Sequence, residues 1–315
     1  MKQKLMGILW IKKEKIVMSL FSANIKGKKD WEKVFRSVSA FTPLIEHILY
    51  IENLPVTKIE NLKPGTNAVF KAGEYVVKVY APEESDFKQD SDIGTELFAA
   101  QRAYHTGVNT PKIIASGMIK DKYEFDYMII EYIEGVEFDE AVEKMTDDEK
   151  LSFARNLRRY TDLMNVPCEP FNRADAINDD ENNWSWEPYP KSFRNERIKY
   201  IKSHNYGENV FVHGDLCGDN ILITPDKELY IIDFADALCA PAVYEHSLVA
   251  AELFDFDEAL MYGYFFTNES VIDTCLDGIL IHGYGGDIIK YHLGRPNEFQ
   301  HIEQLHQRIT ERLHW

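Results

Sequence analysis

The chain has no apolar run long enough for a membrane: Leu5 to Ile11, its longest early stretch, falls far short of the roughly 20 residues that a spanning helix needs. No small-residue cleavage site follows that stretch, so a secretory leader is not indicated and a cytoplasmic location is expected. Cysteine is scarce as well. The four present, Cys168, Cys217, Cys239 and Cys275, show no C-x-x-C spacing. That excludes a zinc-finger set or a disulfide framework as the organising feature and predicts reduced, mostly buried thiols. Positive charge is in deficit, with 35 Lys and Arg against 52 Asp and Glu and a net charge of −17. Such a field repels nucleic-acid phosphates, so no DNA or RNA partner is expected. An acid excess favours a cationic substrate, although charge alone is better explained by solubility. No internal repeat is visible, and no protein partner is indicated.

What is present describes a folded protein. Apolar residues make up 45% of the 315 and aromatics 13%, and the length suffices for two lobes around one cleft at the usual roughly 100–200 residues per domain. Residues 1–30 are set apart as an N-terminal extension, lysine-rich at first, with Met18-Ser19 as an alternative start. Trp31, Val34, Phe35 and Val38 recur at helical spacing, and Thr42-Pro43 reads as the N-cap and first position of a second helix. Val69-Phe70 and Tyr75 to Tyr80, joined through Ala72-Gly73-Glu74, give a hairpin signal. Gly94 to Tyr104 is a strong helix former. Strands are expected at Lys112 to Ala115 and Asp126 to Glu131, and Thr146 to Glu149 is a capping box that opens an amphipathic helix. Helical patterns dominate the remainder, interrupted by an unpatterned Pro-, Asn-, Asp- and Trp-rich segment from Val166 to Lys191.

The centre of the chain is Val212-His213-Gly214-Asp215-Leu216-Cys217-Gly218-Asp219-Asn220, followed by the apolar runs Ile221 to Ile223 and Leu229 to Ile232, then Asp233-Phe234. An acid and an amide five residues apart on a loop, with a second acid thirteen residues further on at a strand end, fit a catalytic base and a metal-binding pair. Phosphoryl transfer needs this set: one carboxylate near the attacking hydroxyl, and oxygen ligands holding Mg²⁺ on the departing phosphates.

His213 to Asn220 reads H-G-D-x-x-x-x-N and Ile232 to Phe234 reads I-D-F, and on these motifs the sequence resembles the aminoglycoside phosphotransferase and choline kinase superfamily of protein-kinase-like enzymes. The resemblance implies an α+β, two-lobed protein-kinase-like fold. Residues 31–133 would form a small antiparallel-sheet, nucleotide-binding lobe, and 134–315 a larger, mainly helical lobe for catalysis and acceptor binding. It further implies that Asp215 is the base and that Asn220 and Asp233 hold Mg²⁺, with ATP or GTP as phosphoryl donor. In the family the hairpin loop covers the nucleotide phosphates. Here the full G-x-G-x-x-G pattern is absent and only Gly65 occupies the turn, so the amides of Thr66, Asn67 and Ala68 are the expected phosphate donors. Lys78 in V-V-K-V would serve the phosphates and Glu96 would pin it. Taken alone, Lys78 reads as an outward strand lysine and Glu96 as a first-turn acid complementing the helix dipole. Met128 to Gly135 resembles the hinge, where adenine recognition by main chain falls to the Glu131 carbonyl and the Ile133 amide. Ala235 replaces the glycine usual in protein kinases, which predicts a loop less free to flip. Asp236 would approach the metal or serve the turn, with the turn preferred. No A-P-E segment follows, which argues against a protein kinase.

The acceptor site is specified least. A small cationic acceptor such as an aminoglycoside is expected, drawn to Asp179, Asp180, Glu181, Glu252 and Asp255, with Trp184 or Trp186 offering an aromatic face. The plainer alternatives are a loop pinned to the body by its own aromatics and, for Glu252 to Glu258, a solvated helix face. Choline-like amines and sugars are the alternative acceptors, and a non-catalytic nucleotide-binding relative is the alternative from another class.

Overall fold

A computed structural model of the chain describes residues 19–63, 65–87, 93–178, 184–266 and 270–313. Two compact units result. One draws on the chain up to Ala72, on Val77–Phe87 and on Gly117–Tyr127, and the other on Gly73–Val76, 93–116 and the chain from Met128 onward. Among the described residues no helix is long and apolar enough to cross a membrane.

The first unit opens with α1 (Lys28–Val34) and α2 (Val38–Ile51), followed by β1 (Ile59–Asn61) and β2 (Ala68–Ala72); β3 (Tyr75–Val79) enters it from Val77 on. Helix α2 begins earlier than the Thr42-Pro43 reading places it. The Ser37 hydroxyl caps it by accepting from Ala40 N at 3.3 Å, and Pro43 lies inside. Proline has no N–H to give the preceding turn; one turn back, the Thr42 hydroxyl donates to the Val38 carbonyl at 2.7 Å. Val38 accordingly belongs to α2 and not to the helix of Trp31. Phe21, Trp31, Phe41, Phe70 and Phe125 are fully buried, with centroids 5.0 Å apart for Phe21–Phe41 and Phe21–Phe125 and 5.3 Å for Phe41–Phe70. Phe21 and Ile25 are thus core residues, so the supposed extension is integral to this unit from Ser19 on; residues 1–18 lie outside the described residues.

Helix α3 spans Ile93–Thr106, β4 Ile113–Lys120 and β5 Glu124–Glu131. The strands order β1-β2-β3-β5-β4 in one sheet, and β1 pairs β2 antiparallel with Ile59 opposite Ala72. Burial alternates along β2, Ala68, Phe70 and Ala72 facing inward, as a half-buried strand requires.

In the second unit β6 (Val136–Glu137) leads into α4 (Phe138–Val142) and α5 (Asp147–Met164), then α6 (Lys191–Ser203) and β7 (Asn209–Val212). The Thr146–Glu149 capping box closes both ways at the start of α5. Strands β8 (Ile221–Ile223) and β9 (Leu229–Ile231) join β6 in the order β6-β8-β9, while β10 (Leu238–Pro241) pairs β7. The helices α7 (Ala242–Leu248), α8 (Glu258–Tyr264), α9 (Val271–Ile281), α10 (Gly285–Ile288) and α11 (Ile302–Arg312) complete it. Two of them continue as π-helical segments, α7 into Val249–Leu253 and α10 into Ile289–Leu293. Gly278 lets α9 approach α7, for a Cβ there would stand 2.0 Å from the Val243 carbonyl.

Candidate active site

The loop between β7 and β8 is held by its own motif residues. Val212 is registered opposite Leu238, which brings the segment after Asp233 beside the start of the loop. His213 is fully buried. Its Nε2 lies 3.0 Å from the Ile232 carbonyl, and its Nδ1 lies 3.3 Å from the Asp215 amide. A carbonyl can only accept and an amide can only donate, so the ring must be neutral with the proton on Nε2. Burial, which lowers the His213 pKa, enforces the same state. Gly214 has φ +85°, and a Cβ there would stand 2.1 Å from the Asp236 carbonyl. No other residue fits that place.

Asp215 then emerges half-buried. The Asn220 amide nitrogen donates to its Oδ2 at 3.0 Å and to its backbone carbonyl at 2.7 Å. Its carboxyl is pushed up to about 6, first by burial, then by the charge of Asp233, with Glu252 and Asp219 adding and the Asn220 amide opposing. With its nitrogen committed, Asn220 has Oδ1 as the donor atom for a cation. The Asn220 carbonyl accepts from the Ile232 amide at 2.9 Å, and Ile221 is registered opposite Ile231. The chains bearing Asn220 and Asp233 are therefore neighbours. Asp233 is exposed with φ +58°, a left-handed conformation that Asp tolerates better than most residues. Ala235 is not among the residues with positive φ, in keeping with the cost of that conformation for alanine. Phe234 is buried with its ring 4.6 Å from His213.

Among the described residues no three His, Cys, Asp or Glu side chains converge as a metal cage. A two-ligand set of one amide and one carboxylate oxygen nonetheless fits Mg²⁺, which usually takes one or two carboxylates plus substrate phosphates. The like charges acting on Asp215 fit a cation too.

The site has a member that the motif does not show. Glu245 of α7 is fully buried, its Oε2 accepts the Gly214 amide at 3.1 Å, and its Oε1 has no hydrogen-bond partner. Burial pushes its carboxyl up to about 7, against the pull of the Gly214 and His213 amides. The signal available in the sequence was Glu245 inside the largely apolar stretch Ala242 to Leu253, because acids are almost never fully buried unless paired.

The remaining expected residues fall as follows. Lys78 is buried on β3, its Nζ 5.5 Å from the Tyr80 ring centroid, and Glu96 is buried in the first turn of α3. The outward reading of Lys78 does not hold. Gly65 and Thr66 are exposed, with nothing within 4 Å of where a Gly65 Cβ would stand. The Thr66 carbonyl accepts the Trp31 indole N–H at 3.0 Å, and the buried Asn67 accepts the Ala81 amide at 3.2 Å. Ala68 is buried. Glu131 ends β5, its amide donating to the Lys112 carbonyl at 2.9 Å, and Ile133 follows two residues on, half-buried. Asp179, Asp180 and Glu181 lie outside the described residues.

Glu252 and Asp255 are both solvent-exposed, as a solvated patch requires, but they share no single helix face. Glu252 lies on a π-helical segment and Asp255 in a turn with φ +42°, where His292 bridges Glu252 at 2.8 Å and Asp255 at 3.2 Å and Arg312 binds Asp255 at 2.7 Å. Trp186 is buried with its ring stacked on Phe193 at 6.2 Å, so it offers no open face; Trp184 is 64% exposed and does.

The family model described as "Phosphotransferase enzyme family" matches residues 66–274, more than half of the chain. No curated protein sequence matches. Among solved structures, the choline kinase LicA from Streptococcus pneumoniae is 15% identical with a TM-score of 0.56, covering 87% of this chain and 98% of that one. A GDP complex of an aminoglycoside 2'-phosphotransferase-IIIa mutant is 16% identical with a TM-score of 0.55, covering 86% and 92%. The Plasmodium vivax ethanolamine kinase is 14% identical with a TM-score of 0.51, covering 90% and 92%. These likenesses establish the protein-kinase-like α+β fold, an antiparallel-sheet lobe with a mainly helical one. With the family match over the His213-to-Asp233 motifs, they make the chain a member of the phosphotransferase enzyme family, a small-molecule phosphotransferase with a hydroxyl group as acceptor.

Proposed function

We propose that the protein transfers the terminal phosphoryl group of ATP, or of GTP, to a hydroxyl of a small cationic acceptor such as an aminoglycoside, in the presence of Mg²⁺. The observation that carries this reading is Asp215, a half-buried carboxylate clamped by Asn220 and pushed up to about 6, near the range in which a general base works best. Asp215 orients the acceptor hydroxyl and takes its proton. Asn220 Oδ1 and the Asp233 carboxylate are the ligands for Mg²⁺, which when bound offsets charge on the phosphates. Lys78, Glu96 and the backbone from Gly65 to Ala68 serve the nucleotide phosphates, and Glu131 and Ile133 serve its base. A nucleotide-binding lobe over 31–133, a catalytic and acceptor lobe over 134–315 and a cytoplasmic location belong to the same proposal.

A second reading, a choline- or ethanolamine-type acceptor with one amine, is favoured by the charges around His292. Glu252 and Asp255 are already engaged by His292 and Arg312, which leaves fewer acids for a polycation. Turnover of γ-labelled ATP against aminoglycosides, choline, ethanolamine and sugars separates the two. Phosphorylation confined to neutral sugars, unaffected by salt, would exclude both cationic readings.

A further inference from the structure

The glycine-rich turn after α9 has no part in the reading above, yet it meets the catalytic loop. The Tyr284 hydroxyl reaches Asp236 Oδ1 at 3.5 Å, and the Asp236 carbonyl packs against Gly214, the residue before Asp215. Contact therefore runs from Tyr284 through Asp236 to Gly214, the residue before the proposed base. The turn is braced on every side. The Tyr284 amide donates to His282 Nδ1 at 3.1 Å, the Gly283 amide to the buried Tyr244 hydroxyl at 3.2 Å, and the Tyr189 hydroxyl to the Gly286 carbonyl at 2.5 Å. Ser185 adds a bond to the Gly283 carbonyl at 3.4 Å. Despite this bracing, the Tyr284 side chain remains 39% exposed. An exposed phenol on a braced turn, reaching the segment packed against the catalytic loop, fits a contact with substrate better than a packing role.

We propose that Tyr284 is a specificity-determining residue of the acceptor site: its phenol oxygen, oriented by Asp236, accepts a hydrogen bond from a second donor group that the acceptor carries near its reacting hydroxyl. Donation to Asp236 leaves the phenol lone pairs free to accept. Burial first, then the charges of Asp236 and Asp215, raise the Tyr284 pKa, so the phenol stays protonated in this role. The chemical class implied is a vicinal amino alcohol or diol. A simple alcohol lacks the second donor and is disfavoured. This inference rests on Asp215 as the base, and the experiment distinguishes the failure of each.

Protein carrying ¹³Cζ-tyrosine, loaded with Mg²⁺ and a non-hydrolysable ATP analogue, is titrated with ethanolamine, 1-amino-2-propanol, glycerol and, as control, ethanol. Tyr284→Phe identifies the Tyr284 signal, and γ-labelled ATP turnover is measured on the same compounds. The expected result is that donor-bearing compounds move the Tyr284 signal while ethanol does not. Tyr284→Phe should lower kcat/KM for a phosphorylated compound by roughly 3- to 10-fold, the size of one hydrogen bond, with the Mg-ATP thermal shift unchanged. A compound that is phosphorylated without moving the signal, and equally well by Tyr284→Phe, overturns the inference. A moved signal without turnover of any compound supports Tyr284 and overturns the role of Asp215. Silence in both measurements overturns both.

Discussion

Burying a carboxyl group disfavours its charge, and this chain does so twice at one loop. Asp215 is pushed up to about 6 and Glu245 to about 7. In each case the folded pKa lies above the unfolded one, so the folded state holds the proton longer than the unfolded chain does. The associated stability is complete below the unfolded carboxylate pKa and is lost as pH rises through about 6 and about 7. Thermal melts from pH 4.5 to 8 should therefore show a stability loss that Glu245→Gln reduces by up to roughly 3 kcal/mol. A variant whose pH slope matches wild type would show that Glu245 is not the buried titrating group. Asp215→Asn should likewise gain stability at pH 8 while losing phosphoryl transfer by roughly 10²- to 10⁴-fold, with Mg-ATP binding retained. Stability and activity then move in opposite directions, as expected for a strained functional group. Residue by residue, legibility in the sequence was uneven. His213, Gly214, Asp215 and Asn220 form one contiguous string whose chemistry is local, and so it was readable. Glu245 reaches Gly214 from thirty-one residues away, and Tyr284 comes from further still. Contacts of that kind leave no mark in spacing.

At the level of elements, patterns with local causes were legible and those with tertiary causes were not. The Thr146–Glu149 box and the Ala72-to-Tyr75 turn act within a few residues, and both elements form where expected. Helix α2 starts at Val38, capped by Ser37, because packing of Phe41, Leu44, Ile45 and Ile48 outweighs the break that Pro43 would impose. The acids from Glu252 to Glu258 read as one helix face, but Asp255 and Phe256 have φ of +42° and +59° and Asp257 caps α8 through Leu260 N. Gly278 is the contact of α9 with α7, and nothing in the local pattern marks it. Gly278→Ala should destabilise by roughly 1–3 kcal/mol through overpacking, measured as a fall in denaturant midpoint. An unchanged midpoint would mean that the two helices can part without loss.

For the whole molecule, the sequence supplied the order of parts, from Lys78 through Glu96 to Asp215, Asn220 and Asp233. The family match spans residues 66–274, a stretch that contains all five. It supplied least about the acceptor, because recognition of a small molecule is assembled from residues far apart in sequence. The net charge of −17 is partly consumed internally, as the pairs of His292 and Arg312 show. A metal requirement is tested by Asp233→Ala, which should lose most of the thermal shift that Mg-ATP gives the wild type; an equal shift in both would remove Asp233 from the nucleotide site. The most direct test of the account is transfer of label from γ-³²P-ATP to a panel of amino alcohols, aminoglycosides and sugars by wild type and Asp215→Asn at equal nucleotide saturation. The account predicts a labelled phosphate ester with wild type and at least a hundredfold less, on the order expected for removing a general base, with Asp215→Asn. Equal labelling by the two proteins would contradict it.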